Sequence, residues 1–110
     1  MDRVEIAKEF IKRFCRGDVE GLEELLHEAL RFQGPLFRFN SRSDYLESLR
    51  RDPPKKSQFR VLSVTENEEE VSIYYEYGKE NGFLTIAQLF RFENDKISEI
   101  LLVFDSKGLV

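Results

Sequence analysis

The sequence predicts an α+β fold in which three N-terminal helices pack on a curved, mostly antiparallel sheet. Helical spacing of apolar residues is confined to the first half of the chain, and alternating strand patterns fill the second half. This segregation is typical of α+β proteins rather than of alternating parallel units. The last two predicted strands are apolar on both faces, so each face needs a cover. Helices laid on one face of a curved sheet form a conical barrel, and we predict a pocket at its open end.

Composition limits the classes of protein to consider. The 110 residues fit one domain, residues 1–110, and are 41% hydrophobic and 35% charged, as in ordinary soluble proteins. No apolar run reaches transmembrane length and no signal peptide opens the chain, so we expect no membrane association. The single Cys15 excludes an internal disulfide and favours a reducing, cytoplasmic location. The formal net charge of -4 argues against nucleic acid as a partner.

Two helices are predicted to open the chain. Asp2 has the N-cap character and spacing of a capping box with Glu5, and an apolar stripe follows at positions 4, 7, 10, 11 and 14. Gly17 is predicted to end this helix and Asp18 to cap the next one. The second helix is assigned from the stripe Leu22, Leu25, Leu26 and Ala29.

A short strand, residues 30–33, is predicted to stop at Gly34-Pro35, because proline removes a ladder donor. A third helix is predicted to start at Ser41 or Ser43 and to turn Tyr45, Leu46 and Leu49 inward. The following segment, residues 51–57, contains two prolines and is predicted to be a loop.

Four long strands complete the predicted sheet, at residues 59–65, 71–77, 83–92 and 97–105. Residues 93–96 form the turn between the last two strands. Alternation predicts an inward face and an outward face for this last hairpin. The inward set is Leu84, Ile86, Gln88, Phe90, Phe92, Ser98, Ile100, Leu102 and Phe104. The outward set is Phe83, Thr85, Ala87, Leu89, Arg91, Ile97, Glu99, Leu101, Val103 and Asp105.

Four short motifs give the chain a resemblance to a known superfamily. They are Phe14-Cys15-Arg16-Gly17-Asp18-Val19-Glu20-Gly21-Leu22, Phe32-Gln33-Gly34-Pro35, Phe90-Arg91-Phe92 and Asp95-Lys96-Ile97. In order and spacing they resemble the nuclear transport factor 2-like superfamily, which includes ketosteroid isomerase, scytalone dehydratase and SnoaL-like polyketide cyclases. The resemblance implies a conical α+β barrel with a hydrophobic pocket. It also implies a homodimer packed through the outer sheet face, which would cover Phe83, Ala87, Leu89, Leu101 and Val103.

The resemblance does not carry the isomerase chemistry with it. Ketosteroid isomerase uses an aspartate base and an oxyanion hole built from a tyrosine and a protonated aspartate. At the matching positions this sequence has Gly34, Phe10 and Gln88. Because a glycine cannot abstract a proton and a phenylalanine cannot donate to an enolate, we expect no isomerase activity.

The predicted ligand pocket is mainly apolar, and no cofactor or catalytic residue is assigned to it. Its members are Phe10, Phe14, Phe32, Tyr45, Leu84, Ile86, Gln88, Phe90, Ile100 and Phe104. Gln88 is either a hydrogen-bond anchor for a ligand carbonyl or hydroxyl, or a structural glutamine satisfied by a neighbour. Gln33 is a second candidate.

Other chemically active side chains have structural explanations. Tyr75 and Tyr77 are predicted to face opposite to Tyr74, as core and interface aromatics. His27, placed near the end of the second helix, has no metal-ligand partners, so no metal site is expected. A pairing of His27 with Cys15 is conceivable, but nothing in the sequence brings them together. A basic group would favour an anionic ligand if it rimmed the pocket: Arg38, Arg42, Arg50, Arg51, Lys55 and Lys56.

Three functions remain open from the sequence. The preferred one is a dimeric protein that binds a small hydrophobic ligand. The second is an enzyme of cyclase, dehydratase or hydrolase type that uses Tyr45, Gln88 and His27. The third is an interaction module whose concave surface receives an apolar side chain of a protein partner.

Overall fold

The computed structural model of the protein describes residues 1–109. Its elements follow in the order α1 (Arg3–Arg16), α2 (Val19–Glu23), β1 (Leu26–Gln33), β2 (Arg38–Phe39), α3 (Arg42–Arg51), β3 (Phe59–Glu66), β4 (Glu70–Lys79), β5 (Gly82–Glu93), β6 (Lys96–Val103) and a 3₁₀ turn (Ser106–Leu109). Helices precede the long strands, which confirms the predicted α+β class.

The first helix begins and ends at the residues that were predicted to cap it. The Asp2 carboxylate accepts a hydrogen bond from the Glu5 backbone N–H at 2.8 Å. Gly17 ends the helix with a φ of 74°, a left-handed conformation that glycine adopts without strain. The buried face of α1 comprises Ile6, Ala7, Phe10, Ile11 and Cys15, which face the sheet.

The second helix is much shorter than predicted. Asp18 caps it by accepting from the Gly21 N–H at 2.9 Å, but α2 ends at Glu23. Leu25, Leu26 and Ala29 are therefore not helical, and β1 already begins at Leu26. The backbone N–H of Ile97 donates to the carbonyl of Leu25 at 2.9 Å, so pairing with β6 overrides the local helical preference.

The six strands form one curved, unclosed sheet in the order β2-β1-β6-β5-β4-β3. The β1–β6 pair is parallel, and the other neighbouring strands are antiparallel. The third helix starts at the predicted cap, because Ser41 Oγ accepts from the Asp44 N–H at 3.0 Å. It turns Tyr45 and Leu46 inward. The fold is thus a helical layer on the concave face of a mostly antiparallel sheet.

A bulge in the last hairpin changes one predicted face. Arg91 pairs with Glu99 whereas Phe92 pairs with Ile97, so Ser98 is an extra residue on β6. The prediction that Ile97 points outward is therefore wrong, and Ile97 is fully buried. Beyond the bulge the predicted alternation holds: Ile100 is buried, whereas Leu101 and Val103 are exposed.

The core lies between α1 and the inner sheet face, where the rings of Phe10 and Phe90 meet edge to face at 5.6 Å. Within residues 1–109, no helix has both the length and the apolar character needed to span a lipid bilayer.

Candidate functional site

A cavity of ≈ 310 Å³ lies between α1, α3, the β1–β2 turn and the inner face of the sheet. Its walls are mainly aromatic and aliphatic side chains. Leu36 and Phe37 line it from the β1–β2 turn although they are 53% and 65% exposed. These two residues therefore mark the open end, and the buried Gln88 and Tyr45 lie deeper.

Most residues of the predicted pocket line this cavity: Phe10, Phe14, Phe32, Tyr45, Leu84, Ile86, Gln88 and Phe104. Phe90 and Ile100 do not line it, so their assignment to the pocket is wrong. They pair across β5 and β6 and are fully buried. The Phe10 ring packs edge to face against Phe90.

Gln88 is the buried polar side chain of the cavity and is 4% exposed. Its position is set by β5, whose alternation turns it to the inner face, and its orientation is set by Tyr75 on the neighbouring β4. The Tyr75 hydroxyl donates to Gln88 Oε1 at 2.7 Å. This bond occupies the amide oxygen, and the amide N–H groups make no hydrogen bond to another described residue. The cavity therefore contains two N–H donors in an apolar surrounding.

The phenols around Gln88 are neutral. Burial raises the pKa of Tyr45 and Tyr75 well above the ordinary value for tyrosine, because a phenolate loses its hydration in the interior. Burial likewise raises the pKa of the nearby Cys15 thiol to about 11. None of these groups is an ionised base or nucleophile at neutral pH.

The structure adds lining residues that were not assigned to the pocket from the sequence, although Leu49 was predicted to face inward. On α3 they are Ser48, Leu49 and Asp52, which continue the face of Tyr45 at helical spacing, so the periodicity already contained this signal. Tyr75 and Tyr77 also line the cavity, whereas Tyr74 lies outside and is exposed. This confirms the predicted separation of Tyr74 from Tyr75 and Tyr77.

An aromatic cluster joins the β1–β2 turn to the predicted pocket residues Phe32 and Tyr45, and its members Phe37 and Phe39 lay outside the predicted elements. Phe37 stacks on Phe39 at 6.2 Å, and Phe39 contacts Tyr45 edge to face at 5.6 Å. Phe32 stacks on Tyr45 at 4.9 Å. The cluster connects the open end of the cavity to its buried interior.

His27 is not part of the cavity. It lies on β1 rather than on a helix, and its Nδ1 accepts from the Ala29 N–H at 3.0 Å. It therefore does not join Tyr45 and Gln88, and the predicted three-residue constellation does not form. Gln33 is exposed on the opposite face of the sheet. Among the described residues, no group of three or more His, Cys, Asp or Glu side chains is placed to hold a metal ion.

The basic group near α3 does not rim the cavity. None of Arg38, Arg42, Arg50, Arg51, Lys55 and Lys56 lines it. Arg42 donates to the carbonyl of Leu26 at 3.2 Å, and Arg50 is held by Glu20 and Glu23. The condition for an anionic ligand is therefore not met.

A sequence model of the SnoaL-like domain matches residues 7–100, which is most of the chain. The chain belongs to the SnoaL-like family. This SnoaL-like protein has an NTF2-like fold, as the motifs suggested. No curated protein matches the sequence.

Solved structures agree with this fold at low sequence identity. An NTF2-like protein of unknown function from Cytophaga hutchinsonii superposes with a TM-score of 0.84 at 18% identity, over 99% of this chain and 95% of that chain. A putative ketosteroid isomerase from Kribbella flavida has a TM-score of 0.78 at 16% identity, over 96% and 85% of the two chains. An LEH-like epoxide hydrolase of M. tuberculosis has a TM-score of 0.76 at 13% identity, over 96% and 84%. These likenesses establish the fold of the SnoaL-like domain.

Proposed function

We propose that this SnoaL-like protein binds a small, mainly apolar molecule in the cavity, with Gln88 as the hydrogen-bond anchor. The observation that carries the proposal is a buried amide whose oxygen is bonded to Tyr75 and whose N–H groups are left for a ligand. Among the described residues no buried side-chain nitrogen or oxygen lacks a hydrogen-bond partner, so the Gln88 N–H groups reach the open space of the cavity, where a ligand can bring an acceptor to them. A ligand that brings an acceptor to Gln88 therefore gains both a hydrogen bond and apolar contact.

The volume and the lining of the cavity limit the size and the chemistry of the proposed ligand. A volume of ≈ 310 Å³ is at the lower end of the range for small-molecule sites, which favours a molecule of one or two rings. The aromatic walls suit a flat or ring-shaped body. The amide donors of Gln88 call for a carbonyl or ether oxygen at the buried end.

The proposal does not include isomerase chemistry. Gly34 and Gln88 line the cavity where the superfamily resemblance would place carboxylates, and Phe10 stands at the tyrosine position. With neutral phenols around it, the buried end holds no group able to take a proton from carbon at neutral pH. We therefore assign binding rather than catalysis.

The test compares two matched probes. 2-Acetylnaphthalene carries a carbonyl acceptor, and 2-ethylnaphthalene has a similar shape without one. Both are titrated by naphthalene fluorescence into the wild-type protein and the Gln88→Leu variant. We expect Gln88→Leu to weaken the ketone by about three- to tenfold, the usual worth of one hydrogen bond, and to leave the hydrocarbon unchanged.

The matched control is Gln33→Leu, the same substitution on the outer face, which should alter neither probe. If Gln88→Leu does not fold, Tyr75→Phe removes the hydroxyl that orients the amide and should weaken the ketone selectively. Equal effects of Gln88→Leu on both probes would rule out the anchor. No binding and no rise in melting temperature with any member of a broad apolar panel would contradict the proposed function.

The same proposal includes a homodimer formed through the outer sheet face, in the cytoplasm. The exposed apolar residues of this face are Phe83 on β5 and Leu101 and Val103 on β6. On β5, Leu89 pairs with Leu101 and Ala87 pairs with Val103. Burial of such a patch against a second copy is a common reason for a two-sided apolar strand. The lone, buried Cys15 suits a reducing compartment.

A further inference from the structure

One charged side chain lines the cavity in the part of the chain that the structure describes. It is Asp52, at the C-cap of α3. The helix contributes Tyr45, Ser48, Leu49 and Asp52 to the wall, at positions that share one helical face. Tyr45 is buried and Asp52 is exposed, so this face runs from the interior of the cavity to its rim.

The Asp52 carboxylate has no cationic partner among residues 1–109. The two arginines before it are engaged elsewhere: Arg50 contacts Glu20 at 3.0 Å and Arg51 contacts Glu47 at 2.6 Å. Lys55 and Lys56 follow in the exposed loop and do not line the cavity. The charge of Asp52 at the rim is therefore not neutralised by a direct ion pair.

The helix end adds to this negative potential. The last carbonyl groups of α3 point toward its C-terminus, where the helix dipole is equivalent to a partial negative charge. The backbone N–H of Asp52 donates to the Ser48 carbonyl at 3.2 Å, which places the residue at that end of the helix. A carboxylate and a helix C-terminus together favour a cation, and no cationic side chain lines the wall to oppose it.

We propose that the ligand is an amphiphilic amine, with an apolar ring body inside the cavity and a protonated amino group at Asp52. This inference rests on the proposed function and specifies its ligand class. The neutral interior excludes a charge at the buried end, since an unpaired charge there would be strongly destabilising. The rim is the position where a charge remains hydrated and gains from Asp52.

Three probes with one shared ring system test the charge preference. They are 2-naphthylmethylamine, 2-naphthalenemethanol and 2-naphthoic acid, which are cationic, neutral and anionic at pH 7. In low salt we expect the amine to bind about threefold more tightly than the alcohol, as an exposed ion pair allows, and the acid to bind most weakly. The preference should disappear at high ionic strength, where such pairs are screened.

Asp52→Asn should make the amine and the alcohol bind equally and leave the affinity for the alcohol unchanged. Asp44→Asn is the matched control, because Asp44 is an exposed carboxylate of the same helix that does not line the cavity. It should keep the preference for the amine. Asp52 is exposed, so its substitution should not prevent folding.

The outcomes separate this inference from the proposed function. If the probes bind with equal affinity, or the acid binds best, the amine inference is wrong and binding in the cavity stands. The same conclusion follows if Asp52→Asn retains the full preference. If none of the three probes binds while 2-acetylnaphthalene does, the amine inference is wrong and binding in the cavity stands. If the broad apolar panel fails as well, both the proposed function and the inference are contradicted.

Discussion

Gln88 acquires its chemical character from a single neighbour. The Tyr75 hydroxyl holds the amide oxygen at 2.7 Å, and the raised pKa of Tyr75, caused first by burial, keeps that hydroxyl a donor. The amide is consequently oriented with its N–H groups free. Sequence alternation places Gln88 on the inner face but cannot reveal this orientation, since it depends on the register that sets Tyr75 close to Gln88.

Cys15 provides a prediction about alkaline stability. Burial raises the pKa of its thiol from 9.0 to about 11, so the unfolded chain releases this proton at lower pH than the folded one. The contribution of the thiol to stability is complete below pH 9 and is lost as the pH rises toward 11. We expect Cys15→Val to lose less stability than the wild type over that interval, by on the order of 1 kcal/mol.

Urea unfolding at several pH values between 8 and 11 measures this difference. The Tyr45 phenol contributes equally to both proteins and cancels. The Cys15 thiolate also raises the pKa of Tyr75, and this coupling is part of the difference between the two proteins. Ile11→Val is the control, because it also truncates the core without removing an ionisable group and should follow the wild-type pH dependence. Parallel curves for the wild type and Cys15→Val would show that the thiol is not linked to alkaline unfolding.

The β5–β6 turn stores backbone strain in two residues. Glu93 pairs with Lys96, which leaves Asn94 and Asp95 as the central residues, with φ values of 51° and 63°. Two positive φ values define the type I′ turn, in which glycine is preferred at the second position. Asp95→Gly should therefore stabilise the protein by about 0.5–1 kcal/mol, measured by urea or thermal unfolding.

Glu80→Gly is the matched control for this prediction. Glu80 lies in the β4–β5 turn, and Asn94 and Asp95 are the non-glycine residues with positive φ among those described. Glycine at Glu80 relieves no such strain and only increases the freedom of the unfolded chain, so it should destabilise. A loss of stability with Asp95→Gly would contradict this prediction, because it would show that the aspartate side chain stabilises the turn by more than its backbone strain destabilises it.

Whole elements were predictable where local chemistry and tertiary packing agree. The caps at Asp2 and Ser41 and the break at Gly34-Pro35 all appear as predicted. The segment after α2 was misassigned because its leucines fit helical spacing, and only the partner strand β6 decides between helix and strand. The bulge at Ser98 could not be predicted from the sequence either. A bulge places two residues of one strand opposite one residue of its partner, so it depends on how the strands pair and not on the pattern of a single strand.

Across the whole molecule, the two faces of the sheet separate the proposed activities. On β5, Gln88 faces the cavity and Leu89 faces outward. Leu89 pairs with Leu101 and Ala87 with Val103, which forms a continuous outer apolar patch. A row of alternating charges borders this patch, with Arg91 contacting Glu70 at 3.0 Å and Glu99 at 3.3 Å. The proposed dimer interface and the proposed ligand site therefore use different side chains of the same strands.

This separation predicts that the dimer can be removed while binding is retained. Leu101 lies between Leu89 on β5 and Gln33 on β1, so Leu101→Arg should place like charges in a desolvated interface and abolish the dimer. Light scattering at micromolar concentration should give twice the chain mass for the wild type and for the control Leu36→Arg, and a single chain mass for Leu101→Arg. The monomeric variant should bind 2-acetylnaphthalene within about twofold of the wild type, since no cavity contact changes. A monomeric wild type would refute the dimer, and loss of probe binding in a folded Leu101→Arg monomer would show that the partner copy shapes the cavity.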